Sequence, residues 1–225
     1  MNLRKMIETI RAYRAGVALG DVVLMKLDAL STPPESLNRR LEHIRGYSPD
    51  HKLSTLRELP AGSLGREYAH FLDANGIEPL EISPAMKMRF RDNPYALRYT
   101  TTHDLHHVLS GFDAGLAGEM GVLAFNVGQG SAPVGPGVLW LVRILYALLA
   151  PTQARTIWHN LRVGLALGQR AALVIAEPIE SSFAEPLSQV RAKLGIPDPR
   201  LAGVLASGHS LVGDLLYKKK PAHVH

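Results

Sequence analysis

The chain has 225 residues, 46% of them hydrophobic and 20% charged, with a formal net charge of +5 and no cysteine. That is enough apolar material for one substantial core, and the missing cysteine excludes disulfides, iron–sulfur clusters, thiolate zinc sites and cysteine nucleophiles. The positive balance suits an anionic partner, but aromatic residues make up only 6% and the basic ones are dispersed, which favours a membrane surface over nucleic acid.

Leu3, Met6, Ile7, Ile10, Tyr13 and Val17 recur at three- and four-residue steps, with Arg4, Lys5, Glu8 and Arg11 opposite. This spacing predicts an amphipathic helix, packed on the core or lying on a membrane. The start lacks the apolar core and cleavage site of a secretory signal and is expected to be structural. Ser31-Thr32-Pro33-Pro34 should end this region and cap a helix over about Glu35 to Gly46. Leu59 to Gly65 reads as a turn into a helix from Arg66 to about Ala74, closed by Asn75-Gly76. Asn93-Pro94-Tyr95 marks a further break, and Gly128 to Gly137 is rich enough in Gly and Pro to be a loop. Helices are expected over Val138 to Ala150, Thr156 to Ile175 and Leu187 to Leu194. The first of these is interrupted by Arg143 and falls short of the roughly 20 residues a spanning helix needs. No stretch alternates long enough to predict a strand, and Lys218-Lys219-Lys220 reads as a solvated tail. The expected fold is all-α, a single-domain bundle over residues 1–225.

The chemistry is concentrated in Thr101-Thr102-His103-Asp104-Leu105-His106-His107, followed by Glu119. Histidines four apart share a helix face, about 40° from each other, with Asp104 about 100° from His103. Thr101 or Thr102 is the expected N-cap of a helix beginning at His103. Gly111 should end that helix and Asp113 begin another, with Glu119 about two turns in and facing back. Two antiparallel helices joined by a glycine turn would then hold two imidazoles and one or two carboxylates. That donor set suits zinc, iron, manganese, cobalt or, with more carboxylate, magnesium. Asp104 either binds the metal directly or orients an imidazole through its other ring nitrogen. His106 is expected to point away, into solvent or packing, while His43, His51, His70, His159, His209, His223 and His225 have no comparable neighbours. A zincin-like protease would carry glutamate after its first histidine, where this chain has the shorter Asp104. A phosphohydrolase of the HD type would need further His and Asp ligands that the sequence does not supply.

The string His103-Asp104-x-x-His107, eleven residues, Glu119 resembles the signature of the coenzyme Q (ubiquinone) biosynthesis family known as Coq-four. Leu59-Pro60-x-Gly62-Ser63-Leu64-Gly65-x-x-Tyr68-Ala69-x-Phe71-Leu72, Arg98-Tyr99-Thr100-Thr101-Thr102 and the stretch Glu180 to Ile196 are similar to that family as well. The resemblance covers about residues 56–196, and 197–225 reads as an extension. It implies an all-helical protein with an apolar lipid groove, peripherally attached to the bacterial inner membrane (the mitochondrial one in a eukaryote). It also implies that His103, Asp104, His107 and Glu119 ligate a divalent metal, zinc first. Its implied partners are a prenylated quinone precursor or other isoprenoid lipid and other quinone-biosynthesis enzymes, and a homodimer is left open. The implied reaction is oxidative decarboxylation of the aromatic head group, and the alternative is a non-catalytic lipid-binding scaffold. Within the chain, Arg98 is a candidate to meet an anionic group, and Trp140 and Ile144 on the helix Val138 to Ala150 are candidates to meet lipid.

Overall fold

The computed structural model describes residues 2–30, 33–133, 135 and 137–208. Lys218-Lys219-Lys220 and His209, His223 and His225 lie outside the described residues, as do Ser31 and Thr32. The fold is all-α. In chain order the helices are α1 (Leu3–Arg14), α2 (Leu19–Leu30), α3 (Glu35–Leu41), α4 (Leu53–Arg57), α5 (Leu64–Asn75) and α6 (Pro84–Arg89), then α7 (Pro94–Ser110), α8 (Leu116–Gln129), α9 (Val138–Leu149), α10 (Ala154–Arg170), α11 (Leu187–Lys193) and α12 (Pro199–Ala202). No strand forms among the described residues; a single bridge joins Ser63 to Pro186.

Helix α7 is the axis of the molecule. Fourteen of its residues are buried, on every side, because Tyr95, Ala96, Leu97 and Tyr99 enter one core with α2 and α3 while Leu105, Val108 and Leu109 enter another with α5, α8 and α11. With Thr101, His103 and Asp104 its partly exposed positions, the helix carries no continuous polar stripe that would mark its start in the sequence. It begins at Pro94, nine residues before His103, and its cap is Asn93, whose side chain accepts from the Ala96 amide at 3.1 Å. Thr101 and Thr102 are therefore mid-helix, and their hydroxyls turn back on the carbonyls of Leu97 and Arg98 at 3.2 and 2.7 Å. The far end is secured by Arg191, which donates to the carbonyls of Leu109 and Val108 at 2.9 and 2.8 Å.

Helices α8 and α10 form the closest pair in the molecule. Ala117 meets Asn160, Gly121 meets Gly164 and Phe125 meets Gly168, a constant offset that makes the two helices parallel, with α9 in the connection. A Cβ on Gly164 or Gly168 would fall on the facing carbonyl oxygen of Gly121 or Phe125. Glycine is required there for the backbones to touch. Other corrections to the expected boundaries are local. The first helical region breaks at Gly16, where φ is 74°. The Gly128–Gly137 loop is shorter than expected, because Gly128 and Gln129 still belong to α8. α10 ends at Arg170, leaving Val174–Ala176 as a separate 3₁₀ turn. α4 and α6 were not anticipated; each is too short for a periodic signal.

Candidate metal centre

Helices α7 and α8 lie antiparallel. Tyr95 donates its hydroxyl to the Ser131 carbonyl at 3.1 Å, Asn126 donates to the Tyr99 hydroxyl at 3.2 Å, and Phe125 faces His106. This register sets the first turn of α8 against the last two turns of α7. Glu119 therefore sits in the first turn, and not two turns in, because α8 begins at Leu116 and Asp113 remains in the connecting loop.

Glu119 Oε1 lies 3.4 Å from His107 Nε2, and its Oε2 lies 3.9 Å from His103 Nε2. One ligand atom from each of these three residues falls within 4.8 Å of the others. Two imidazole nitrogens and a carboxylate oxygen converging in this way fit the donor set of a divalent transition metal. The orientation of His107 supports that use. Its Nδ1 lies 3.1 Å from the carbonyl of Phe112 and 3.1 Å from that of Asp113. Carbonyls only accept, so Nδ1 donates to them and the ring is turned with Nε2 facing Glu119. The ring also stacks on Phe71 at 5.3 Å. His103 Nε2 faces Glu119 while its Nδ1 lies 3.5 Å from Asp104 Oδ1. Asp104 is thus outside the converging trio, beside the ring nitrogen that points away from it. Burial works against a charged His103, but the Asp104 hydrogen bond and the Glu119 charge outweigh it and raise the ring's proton affinity above the ordinary histidine value. His107 is buried, whereas His103, Asp104 and Glu119 are partly exposed. With three protein donors and an exposed side, the site has room for a further ligand.

The other candidates are placed elsewhere. Arg98 is fully buried; it pairs with Glu180 at 2.5 Å and donates to the carbonyls of Ile175 at 3.2 Å and Glu177 at 2.8 Å. Its guanidinium is already engaged by protein acceptors, which corrects the expectation that it meets an outside anion. His106 takes the packed alternative: it is buried against Tyr99 and Phe125 with neither ring nitrogen hydrogen-bonded. Trp140 and Ile144 are 68% and 58% exposed on α9. Sequence reasoning missed the carbonyls of Phe112 and Asp113 as anchors of His107. The Asp113-Ala114-Gly115 turn pattern was the available signal.

On the Asp104 side of α7 lie two adjoining cavities of 430 and 960 Å³. They share Ala18, His51, Lys52, Pro79, Leu80 and Glu81; Thr101 and Leu105 line the first and Asp104 the second.

Fold and site together define a helical-bundle protein with a His/His/Glu metal-type cluster on an antiparallel helix pair. Residues 41–200 match the family described as coenzyme Q (ubiquinone) biosynthesis protein Coq4, a match that starts earlier than the resemblance read from the sequence. The mouse ubiquinone biosynthesis protein COQ4 homolog, mitochondrial, is 32% identical over 181 residues, covering 76% of this chain and 64% of that protein. Its zebrafish (Danio rerio) counterpart is 32% identical over 195 residues, covering 82% and 68%. The chain therefore spans about two thirds of the length of these relatives. A Nostoc punctiforme crystal structure, assigned to ubiquinone biosynthesis, superposes with a TM-score of 0.63 at 22% identity, over 87% of this chain and 97% of that one. The chain belongs to the Coq4 family of coenzyme Q biosynthesis proteins.

Proposed function

We propose that this protein binds a divalent metal through His103, His107 and Glu119 and acts on the aromatic head group of a prenylated quinone precursor, replacing the ring carboxylate by hydroxyl. The observation that carries the reading is the convergence of the three donors in a chain of this family. A bound metal of this kind supplies a Lewis acid at the head group or activates oxygen or water there. The residues of the chain do the rest. His107 is oriented by two carbonyls at its Nδ1, which leaves Nε2 facing Glu119 as its donor to a metal. Asp104 acts on the opposite nitrogen of His103 and orients that ring rather than filling a coordination position. The cavities on the Asp104 side, walled by Leu80, Pro79 and Leu105 with His51 and Lys52 among them, are the proposed seat of the head group. The conversion breaks the ring–carboxyl bond, releases the carboxyl as carbon dioxide and forms a ring C–O bond, a two-electron oxidation overall that balances with external dioxygen and water giving the phenol, carbon dioxide and hydrogen peroxide.

A second reading is supported by a different observation. Trp140, Leu141, Ile144, Leu145, Leu148 and Leu149 are all exposed on α9, and Leu3, Ile7, Ile10 and Tyr13 on α1. No helix among the described residues is long and apolar enough to cross a membrane, so these faces suit peripheral contact with lipid. A scaffold that holds a prenyl lipid and other biosynthetic enzymes at the membrane would use the same faces with a structural metal. Elemental analysis of anaerobically purified protein, with mass spectrometry of its organic extract, separates the two. Stoichiometric metal with a prenylated aromatic acid supports the enzyme. A bound prenyl lipid lacking an aromatic head points to the scaffold, and protein without metal rejects the site.

A further inference from the structure

The loop between α7 and α8 supplies the two carbonyls that fix His107. The helix that follows has Gly115 at its N-cap, with no side chain to receive the unpaired amides of the first turn. Ser207, from the segment after α12, fills that role. Its hydroxyl accepts from the Gly118 amide at 2.9 Å and donates to Asp113 Oδ1 at 2.6 Å, while its own amide donates to Asp113 Oδ2 at 2.6 Å. Asp113 Oδ1 also accepts from the Gly115 amide at 3.0 Å. One carboxylate thus ties the His107 loop to a distant segment, and one hydroxyl ties that segment to the residue preceding Glu119. Bonds to an ionised carboxylate are the strong kind. The segment is itself moored on α10: Asn160 accepts from the Leu205 amide at 3.1 Å and donates to the Leu205 carbonyl at 2.8 Å, and His159 Nε2 donates to the Gly203 carbonyl at 2.7 Å. Ser207 lies beyond residue 200, where the family match ends.

From this we infer that Ser207 and Asp113 are positioning residues for the metal centre, a clasp through which the segment after α12 holds the His107 ring and the Glu119 turn in register. The inference rests on the metal reading above, and its test separates the two. Full-length wild type, Ser207→Ala, Ser207→Thr and Asp113→Ala would be prepared metal-free. Two measurements follow: the ring ¹⁵N–¹H spectrum of His107 without metal, and Co²⁺ titration read by its visible spectrum and by chelator competition. In wild type His107 should be a single Nδ1–H tautomer; in Ser207→Ala it should become a mixture, with the Co²⁺ dissociation constant raised about 10- to 100-fold and the Co²⁺ spectrum altered. Asp113→Ala should move in the same direction, and Ser207→Thr, which keeps the hydroxyl, should stay near wild type. An unchanged tautomer and Co²⁺ affinity in Ser207→Ala overturns the clasp, as does lowered thermal stability with both readouts intact. A wild-type protein that takes up no Co²⁺ rejects the metal reading, and the tautomer measurement then still decides the clasp.

Discussion

At the scale of single residues, charge and hydrogen bonding assign different tasks to side chains that look alike in sequence. Glu119 and Asp104 are both acids beside histidines, yet Glu119 faces the Nε2 atoms of both rings and Asp104 only the Nδ1 of one. His107→Ala and Glu119→Gln should therefore each abolish stoichiometric metal uptake, whereas Asp104→Asn should weaken it about 10- to 100-fold without removing it. Equilibrium metal titration checks this; an Asp104 variant as deficient as Glu119→Gln would make Asp104 a ligand. Arg98 belongs to packing. Truncating it leaves Glu180 buried without its partner, so Arg98→Ala should destabilise the protein by about 3–5 kcal/mol. Urea unfolding would measure the loss, and a change within about 0.5 kcal/mol, as at an unremarkable surface position, would show the pair to be dispensable.

At the scale of elements, the informative contrast is between α7 and α9. α7 is largely buried, with its polar side chains and last carbonyls bonded mainly to neighbouring elements; α9 leaves six apolar side chains on the outside. Arg143 moderates that face, its guanidinium lying 5.5 Å from the Trp140 ring and 4.4 Å from that of Trp158. Exposed side chains contribute little to folding, so a Trp140→Ala/Ile144→Ser pair should leave the melting temperature within about a degree or two. The same pair should reduce co-sedimentation with vesicles containing anionic lipid several-fold. Vesicle binding equal to wild type would remove α9 as the lipid-facing element.

At the scale of the whole molecule, the buried histidines link stability to pH. Burial first, then the charges of His103, His107 and Arg98, hold His106 neutral well below the ordinary histidine range. Below about pH 6.5 the unfolded chain binds a proton there and the folded chain does not, so stability of the metal-free protein falls with pH, by up to about 1.4 kcal/mol per unit, until the folded ring titrates. Burial lowers the proton affinity of His51 too, which acts in the same direction. His103 operates in the other window. Its proton affinity is raised, so its contribution is complete below about pH 6.5 and is lost as pH rises through its folded value. Urea unfolding of wild type and His106→Leu between about pH 7 and pH 5 would test the first of these. The variant should show the shallower decline, and equal slopes would exclude His106 as the source.

The sequence by itself determined the helical class and the histidine pair at the centre of the cluster, because both depend on spacing along one chain: His103 and His107 share a helix face whatever lies around them. The helix containing them was legible but its beginning was not, since α7 offers no continuous polar stripe to read. Only the tertiary structure decided which acid joins the two histidines, what orients the His107 ring, and that Arg98 is spent on Glu180. Nor could the sequence reveal that Ser207 caps α8 from beyond α12. The Arg98–Glu180 and Ser207–Gly118 contacts join groups far apart in the chain, and the His107 contacts depend on how the α7–α8 connection folds back on the ring. Such contacts are set by packing, and local periodicity does not encode them.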